Sequence, residues 1–371
     1  MRRPFLQSER GLGLQRLFLP QLLALPEPLL RRAANAPRST DGRTPRRSAV
    51  EHKVDGYTLD PQIAFLLMLA KKNPLPPLET LEPNQARAQA ALYHRLLDAA
   101  PRPMARIDDE AAAGPGGFIP LRVYIPRRAG ARVPGIVWYH GGGWVLGGIE
   151  SHEAQLRLLA DETRSAVIAV DYRLAPEHRF PAAADDALAA FRWTTERAHR
   201  YGIDPERLAI GGDSAGGNLA AVVARTLRDT ALPQPVVQVL VYPVTDLRQS
   251  TASYRTFSDG YFLTASTMAW FVRHYLGDRK LELDPRASPL LEPDLRGLPK
   301  SYVFTAGFDP LRDEAHAYAD ALDAAGVPVR YVCYESLIHG FMAMTGGVRA
   351  ARRAVSEIAE CLRHELGVGD R

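Results

Sequence analysis

Two short runs carry most of the chemistry in this chain. His140-Gly141-Gly142-Gly143-Trp144 comes first, and Gly212-Asp213-Ser214-Ala215-Gly216 follows about seventy residues later. The second fits G-x-S-x-G, a pattern that seats a serine on a tight strand-to-helix turn with its hydroxyl exposed. The first can turn bare backbone N–H groups toward the oxygen of an attacked carbonyl. A nucleophile beside an oxyanion hole is most of what acyl transfer requires. Alone, G-x-S-x-G is a weak signal. Its flanks strengthen it: Arg207–Gly211 reads as a short buried strand, and Asn218–Ala224 as a helix of small and apolar residues. Gly212 and Gly216 fit a sharp turn that leaves no room for a Cβ. The glycine run follows another apolar strand, Gly135–Tyr139. A phosphate loop is the competing reading, but no Gly-Lys-Ser/Thr follows. Trp144 and Val145 suit an apolar acyl pocket better. His140 is expected to orient the loop through a side-chain hydrogen bond, with Gly141 and Asp213 as supporting residues.

A serine hydroxyl needs a base, and the base needs an orienting carboxylate. Beyond Ser214 the histidines are His274, His316, His339 and His364. His339 follows the strand-like Val329–Tyr334 and precedes Gly340-Phe341, so it sits just past a strand end, where site residues of parallel sheets gather. His316 and His364 lie in helical patterns and are expected on the surface; His274 falls in an insertion. Asp309 follows the strand Ser301–Phe308 and faces the same rim. Asp313, four residues on, is expected in a helix first turn, where an acid is favourably placed. Asp309 is therefore preferred as the acid. In the expected mechanism, His339 accepts the Ser214 proton and Asp309 fixes the imidazole. The N–H groups of Gly142, Gly143 and Ala215 hold the oxyanion, and water releases the acyl-enzyme.

These runs resemble the hormone-sensitive-lipase family of α/β-hydrolases, the bacterial family IV esterases and lipases. The resemblance rests on His140–Trp144, Gly212–Asn218, Asp171–Glu177, Asp309–Glu314 and His339–Phe341 in that order, and spans roughly residues 59–366. It implies hydrolysis of short- to medium-chain acyl esters without a metal or cofactor, and it is the source of the oxyanion assignment. Amide deacetylation, true lipase activity and a non-catalytic ligand-binding role, as in a plant receptor that resembles this family, are the alternatives. Retention of His339 argues against the last. The resemblance also suggests a homodimer. The charged cluster Asp171–Glu177 is expected to be structural, an Arg and acids holding a loop in place through paired, hydrogen-bonded charges.

The surrounding elements read as an α/β fold, a mostly parallel sheet with helices on both faces. Strands are expected near 121–125, 135–139, 166–170, 207–211, 236–242, 301–306 and 329–334. Helices are expected near 152–163, 182–200, 215–228, 312–325 and 348–366. Residues 56–371 are expected to form the hydrolase domain, and the resemblance implies that helical patterns at 57–100 and an aromatic-rich stretch at 245–298 within it build a cap over the active site. Cys333 and Cys361 have no metal-ligand spacing, and Cys333 is expected to be a small buried hydrophobe in a core strand.

The formal charge is +4 over 371 residues, but residues 1–53 alone carry +7, leaving −3 for the body. The basic excess is thus a tail property, and no aromatic-interleaved basic patch points to nucleic acid. Residues 1–55 are expected to be a disordered extension. Leu17–Leu25 is too short and too broken by Pro20 to span a bilayer. With Ala34-Asn35-Ala36 it imitates a secretory signal, against which Glu9 and Arg31-Arg32 argue. A cytoplasmic location is expected, with secretion left open, and the expected partner is a small-molecule ester.

Overall fold

A computed structural model describes residues 52–72, 74–130 and 132–369; the expectations for residues 1–51 lie outside these. A two-residue hairpin, β1 (Lys53–Val54) and β2 (Tyr57–Thr58), leads into helices α1 (Pro61–Lys72) and α2 (Pro83–Leu97). The body then alternates β3 (Met104–Gly114), β4 (Gly117–Pro126), β5 (Val133–Tyr139), α3 (Ile149–Thr163), β6 (Ala166–Val170), α4 (Ala182–Arg197), β7 (Ile203–Asp213), α5 (Ala215–Arg228) and β8 (Val237–Val241). An insertion holding α6 (Ala252–Thr256) and α7 (Ala265–Leu276) precedes β9 (Lys300–Phe308), α8 (Arg312–Ala324), β10 (Val329–Ile338) and α9 (Arg349–Glu365).

The main sheet has the order β10-β9-β8-β7-β5-β6-β4-β3. Neighbours from β10 to β6 run parallel, while β4 pairs antiparallel with both β6 and β3. Every residue of β5, β6 and β8 is buried. Apart from Gln238 in β8, whose amide donates to Ser301 Oγ, those strands read as apolar runs because helices cover both faces of a parallel sheet. α9 shows the complementary pattern: Ala351, Ala354, Val355, Ile358, Ala359 and Leu362 face inward at helical spacing, with charges on the other side. α5 is buried over nearly its whole length, which its alanines, valines and glycines permit against the sheet.

Three expectations change. The sheet begins with β3, not near Leu121. β3 is an edge strand whose residues are mostly exposed or partly buried, and its sequence, Met-Ala-Arg-Ile-Asp-Asp-Glu-Ala-Ala-Ala-Gly, has a single β-branched residue, Ile107, and no aromatic one to mark a strand. It is held by a ten-pair register with β4. Tyr57 lies in a strand rather than a helix. Cys333 is only half-buried, because β10 is the other edge of the sheet.

The register aligns Tyr139 of β5 with Gly212 of β7, and Gly212 with Leu240 of β8. The carboxyl ends of β5, β7, β9 and β10 therefore open onto one rim. Among the described residues no helix is long and apolar enough to cross a membrane.

Candidate active site

Ser214 sits between the end of β7 and the start of α5 with φ 55° and ψ −118°. A non-glycine residue there is strained by about 1–3 kcal/mol, and the surroundings hold it. The Ser214 N–H donates to Val241 O at 2.8 Å, and its carbonyl accepts from Asn218 N at 3.1 Å and Val244 N at 3.3 Å. The turn closes this tightly only because Gly216 lies against the Tyr139 carbonyl, where a Cβ would overlap the oxygen. No side chain caps α5, and among the described residues the Ala215 N–H donates to no backbone carbonyl. Gly142 and Gly143 have φ of 113° and 59°. Among the described residues neither of their N–H groups donates to a backbone carbonyl.

His339 lies at the end of β10, with Nε2 3.0 Å from Ser214 Oγ. Its Nδ1 is 2.8 Å from Asp309 Oδ2. Asp309 is fully buried, and its other oxygen accepts from Leu311 N at 2.9 Å, which fixes the carboxylate plane. The Tyr242 ring packs 4.6 Å from the imidazole. A hydroxyl, an imidazole and a buried carboxylate in series can move a proton off the hydroxyl as it attacks. The three come from segments separated by 30 and 125 residues.

A family model described as the α/β hydrolase fold matches residues 136–343. The chain is 43% identical over 323 residues to the carboxylic ester hydrolase LipN of Mycobacterium tuberculosis, covering 84% of this chain and 85% of the relative. The chain belongs to the hormone-sensitive-lipase family of esterases. It is 36% identical to the ethyl acetate hydrolase of Pseudomonas putida, covering 83% of this chain and all of that one. Among solved structures it is similar to an ester hydrolase from the metagenome of Lake Arreo, in complex with a bipyridine phosphonate derivative. That match has TM-score 0.81, 42% identity and coverage of 84% and 100% of the two chains. A hyperthermophilic esterase from Pyrobaculum calidifontis matches with TM-score 0.78, 40% identity and coverage of 82% and 98%.

The other sequence candidates of this esterase take supporting places. Asp313 does not reach His339; it accepts from Ser253 N at 2.8 Å and Arg312 Nε at 2.9 Å, at the start of α8. His140 donates from Nδ1 to Gly141 O at 2.7 Å and stacks on Tyr172 at 4.2 Å. Burial pulls its imidazole down to about 3, so it stays neutral in ordinary buffers. Asp213 accepts from Trp138 Nε1 at 3.1 Å, and His152 Nε2 lies 3.8 Å from its second oxygen. Burial opposes ionisation of Asp213, but His152 and Trp138 outweigh it and the carboxyl lies below its ordinary value. In the loop after β6, Arg173 forms a bidentate pair with buried Asp186, at 2.8 Å for both bonds. His316 and His364 are surface residues.

A cavity of about 1010 Å³ opens at Ser214. Its walls come from two stretches, Leu59 to Leu97 and Asp259 to Phe271, together with the glycine run and the His339 loop. The stretches are joined to each other: Glu79 accepts from Ser266 Oγ at 2.6 Å and Thr267 Oγ1 at 2.9 Å. They are joined to the body by Arg87 of α2. Its guanidinium grips Glu177 through two bonds of 2.8 and 2.7 Å, and donates to Val145 O at 2.8 Å and Ala175 O at 3.0 Å. Arg87, His94, Trp138 and His152 were not singled out from the sequence. Arg87 and His94 lie in a helix of mixed composition, and only the fold shows which face meets the site.

Proposed function

We propose that Ser214 is the nucleophile, His339 the general base and Asp309 the orienting acid of an acyl-enzyme mechanism. The N–H groups of Gly142, Gly143 and Ala215 hold the oxyanion. The observation that carries this reading is the continuous chain from Ser214 Oγ through His339 to Asp309 at 3.0 and 2.8 Å. Ser214 attacks the ester carbonyl as its proton passes to His339 Nε2. Asp309, accepting from Nδ1, fixes the tautomer and stabilises the imidazolium. The alkoxide leaves with that proton, and His339 then deprotonates the water that attacks the acyl-enzyme. Residues 57–100 and 245–298 act as the cap, and the substrates are short- to medium-chain acyl esters. Leu67, Met68, Leu97, Leu263 and Phe271 line the cavity and supply apolar wall for such chains.

The test is hydrolysis of p-nitrophenyl esters from acetate through laurate, with Ser214→Ala as the control. Turnover by the wild type that disappears in Ser214→Ala, with a maximum at or below medium chains, is expected. Near-wild-type turnover by Ser214→Ala overturns the assignment, and a laurate maximum moves it to lipase.

A further inference from the structure

The cavity wall includes a polar row that the acyl-transfer mechanism does not use. Starting from Asp213, next to the nucleophile, His152 and then His94 follow in a row. His152 Nε2 faces Asp213 Oδ2 at 3.8 Å, and the two imidazole rings lie 4.8 Å apart. His152 is fully engaged. Ser151 Oγ donates to Gly148 O at 2.9 Å, so at 2.9 Å it accepts from His152 Nδ1. His152 Nε2 is turned to Asp213.

His94 differs. It projects from α2 into the cavity, and Gln155 Nε2, which can only donate, lies 3.3 Å from its Nδ1. The ring proton therefore sits on Nε2. Asp98 Oδ2, one helical turn on, lies 3.6 Å from the same nitrogen. With Nδ1 accepting from Gln155, Nε2 is a donor. Among the described residues nothing accepts from it. Asp98 is itself buried, its Oδ1 has no partner among those residues, and burial pushes its carboxyl up. Leu97 and Met344 line the same cavity. An unpaired donor on a cavity wall discriminates between a ligand that offers an oxygen and one that does not.

We infer that His94, held by Gln155 and Asp98, is a specificity residue whose Nε2–H binds a second oxygen of the substrate. The substrate class is then an ester with a carbonyl oxygen on its acyl or alcohol arm in addition to the scissile group. The inference rests on the reading of Ser214 as nucleophile, since that places the scissile carbonyl in the cavity that His94 also lines.

Two isosteric pairs test it. Ethyl 4-oxopentanoate against ethyl 4-methylpentanoate probes the acyl arm, and 2-oxopropyl butyrate against isobutyl butyrate the alcohol arm. Dissociation constants are measured calorimetrically on full-length Ser214→Ala, alone and combined with His94→Leu or His94→Gln. In Ser214→Ala the keto member of one pair should bind about tenfold tighter than its isostere, the worth of one buried hydrogen bond. The preference should vanish with His94→Leu and return in part with His94→Gln, which keeps a donor. No preference in either pair overturns the inference without recourse to any His94 variant, and a preference that survives His94→Leu overturns it too. Wild-type turnover of the same esters separates the two readings. Hydrolysis without selective binding refutes the subsite alone; selective binding without hydrolysis refutes the hydrolytic reading of Ser214 alone.

Discussion

Asp309→Asn should nearly silence the enzyme while leaving its fold intact. Asparagine is the same size, and its carbonyl oxygen can keep the 2.9 Å bond from Leu311 N. What changes is the atom facing His339 Nδ1, now 2.8 Å from a carboxylate oxygen. An amide NH₂ there can only donate, so Nδ1 becomes the acceptor and the ring proton moves to Nε2. That nitrogen, 3.0 Å from Ser214 Oγ, then points a proton at the hydroxyl it has to deprotonate. Wrong-tautomer substitutions of this kind cost about ten-thousand-fold in kcat, known from a serine protease triad. That corresponds to about 5.5 kcal/mol of transition-state stabilisation. The assay is kcat and KM on p-nitrophenyl butyrate with Tm as the fold control, and KM should move little. Asp313→Asn is the comparison. Its carboxylate meets only Ser253 N and Arg312, so kcat should stay within about threefold. Activity of Asp309→Asn within tenfold of wild type, or a larger loss for Asp313→Asn, refutes the tautomer argument.

Arg87→Met should loosen α2 from the body, because it removes four hydrogen bonds to Glu177, Val145 and Ala175 at once. KM should rise several-fold with a smaller change in kcat, measured on the same ester. The same pair gives a pH effect. Hydrogen bonding to Arg87 pulls Glu177 down to about 2 from an ordinary carboxyl value. A depressed folded-state value means the stabilisation is fully present above about pH 4.5 and fades as pH falls toward 2. The loss of Tm between pH 5 and 3 should therefore be smaller in Glu177→Gln than in wild type. Glu177 is half-exposed, so solvent screening keeps the difference small. Gly216→Ala places a methyl group against the Tyr139 carbonyl. It should lower Tm by a few degrees and cut kcat by at least tenfold, read by thermal melting and ester hydrolysis.

Much of the architecture was legible because parallel strands buried on both faces leave an unmistakable trace. Val133–Tyr139 and Ala166–Val170 are continuous apolar runs, Val237–Val241 is broken only by Gln238, and the helices between them keep a 3.6-residue stripe. β3 escaped because a solvated edge strand needs no such run. Arg106, Asp108, Asp109 and Glu110 suit its surface, and its alanines suit either element. Ser214, Asp309 and His339 were legible for a different reason. A strained turn demands glycines at fixed offsets, and a rim residue must follow a strand end, so local sequence marks the positions before their mutual distances are known. His94 and Arg87 have no such local constraint. Each is one polar residue on a helix, and its meaning comes from an Arg87–Glu177 pair 90 residues apart or a His94–Gln155 contact 61 residues apart.

The placement of strain follows the same logic. Ser214 keeps a left-handed φ because the rigid part of the molecule surrounds it. Its N–H is tied to β8, Gly216 is pressed on β5, and Asp213 is fastened by Trp138 from within β5. Each of these contacts comes from a strand buried on both faces, where a shift of a few tenths of an ångström disturbs close packing on every side. The cavity walls are built in the opposite way. Glu79 with Ser266 and Thr267, and Arg87 with Glu177, are polar clasps at the rim rather than packed core. Such clasps can open without disturbing the sheet, and water can replace their hydrogen bonds at little cost. A division of this kind lets the cavity-wall residues differ in size and polarity while the geometry around Ser214 is held fixed. On the proposed subsite, substrate choice would fall to side chains such as His94, which belong to the clasped part and line the cavity.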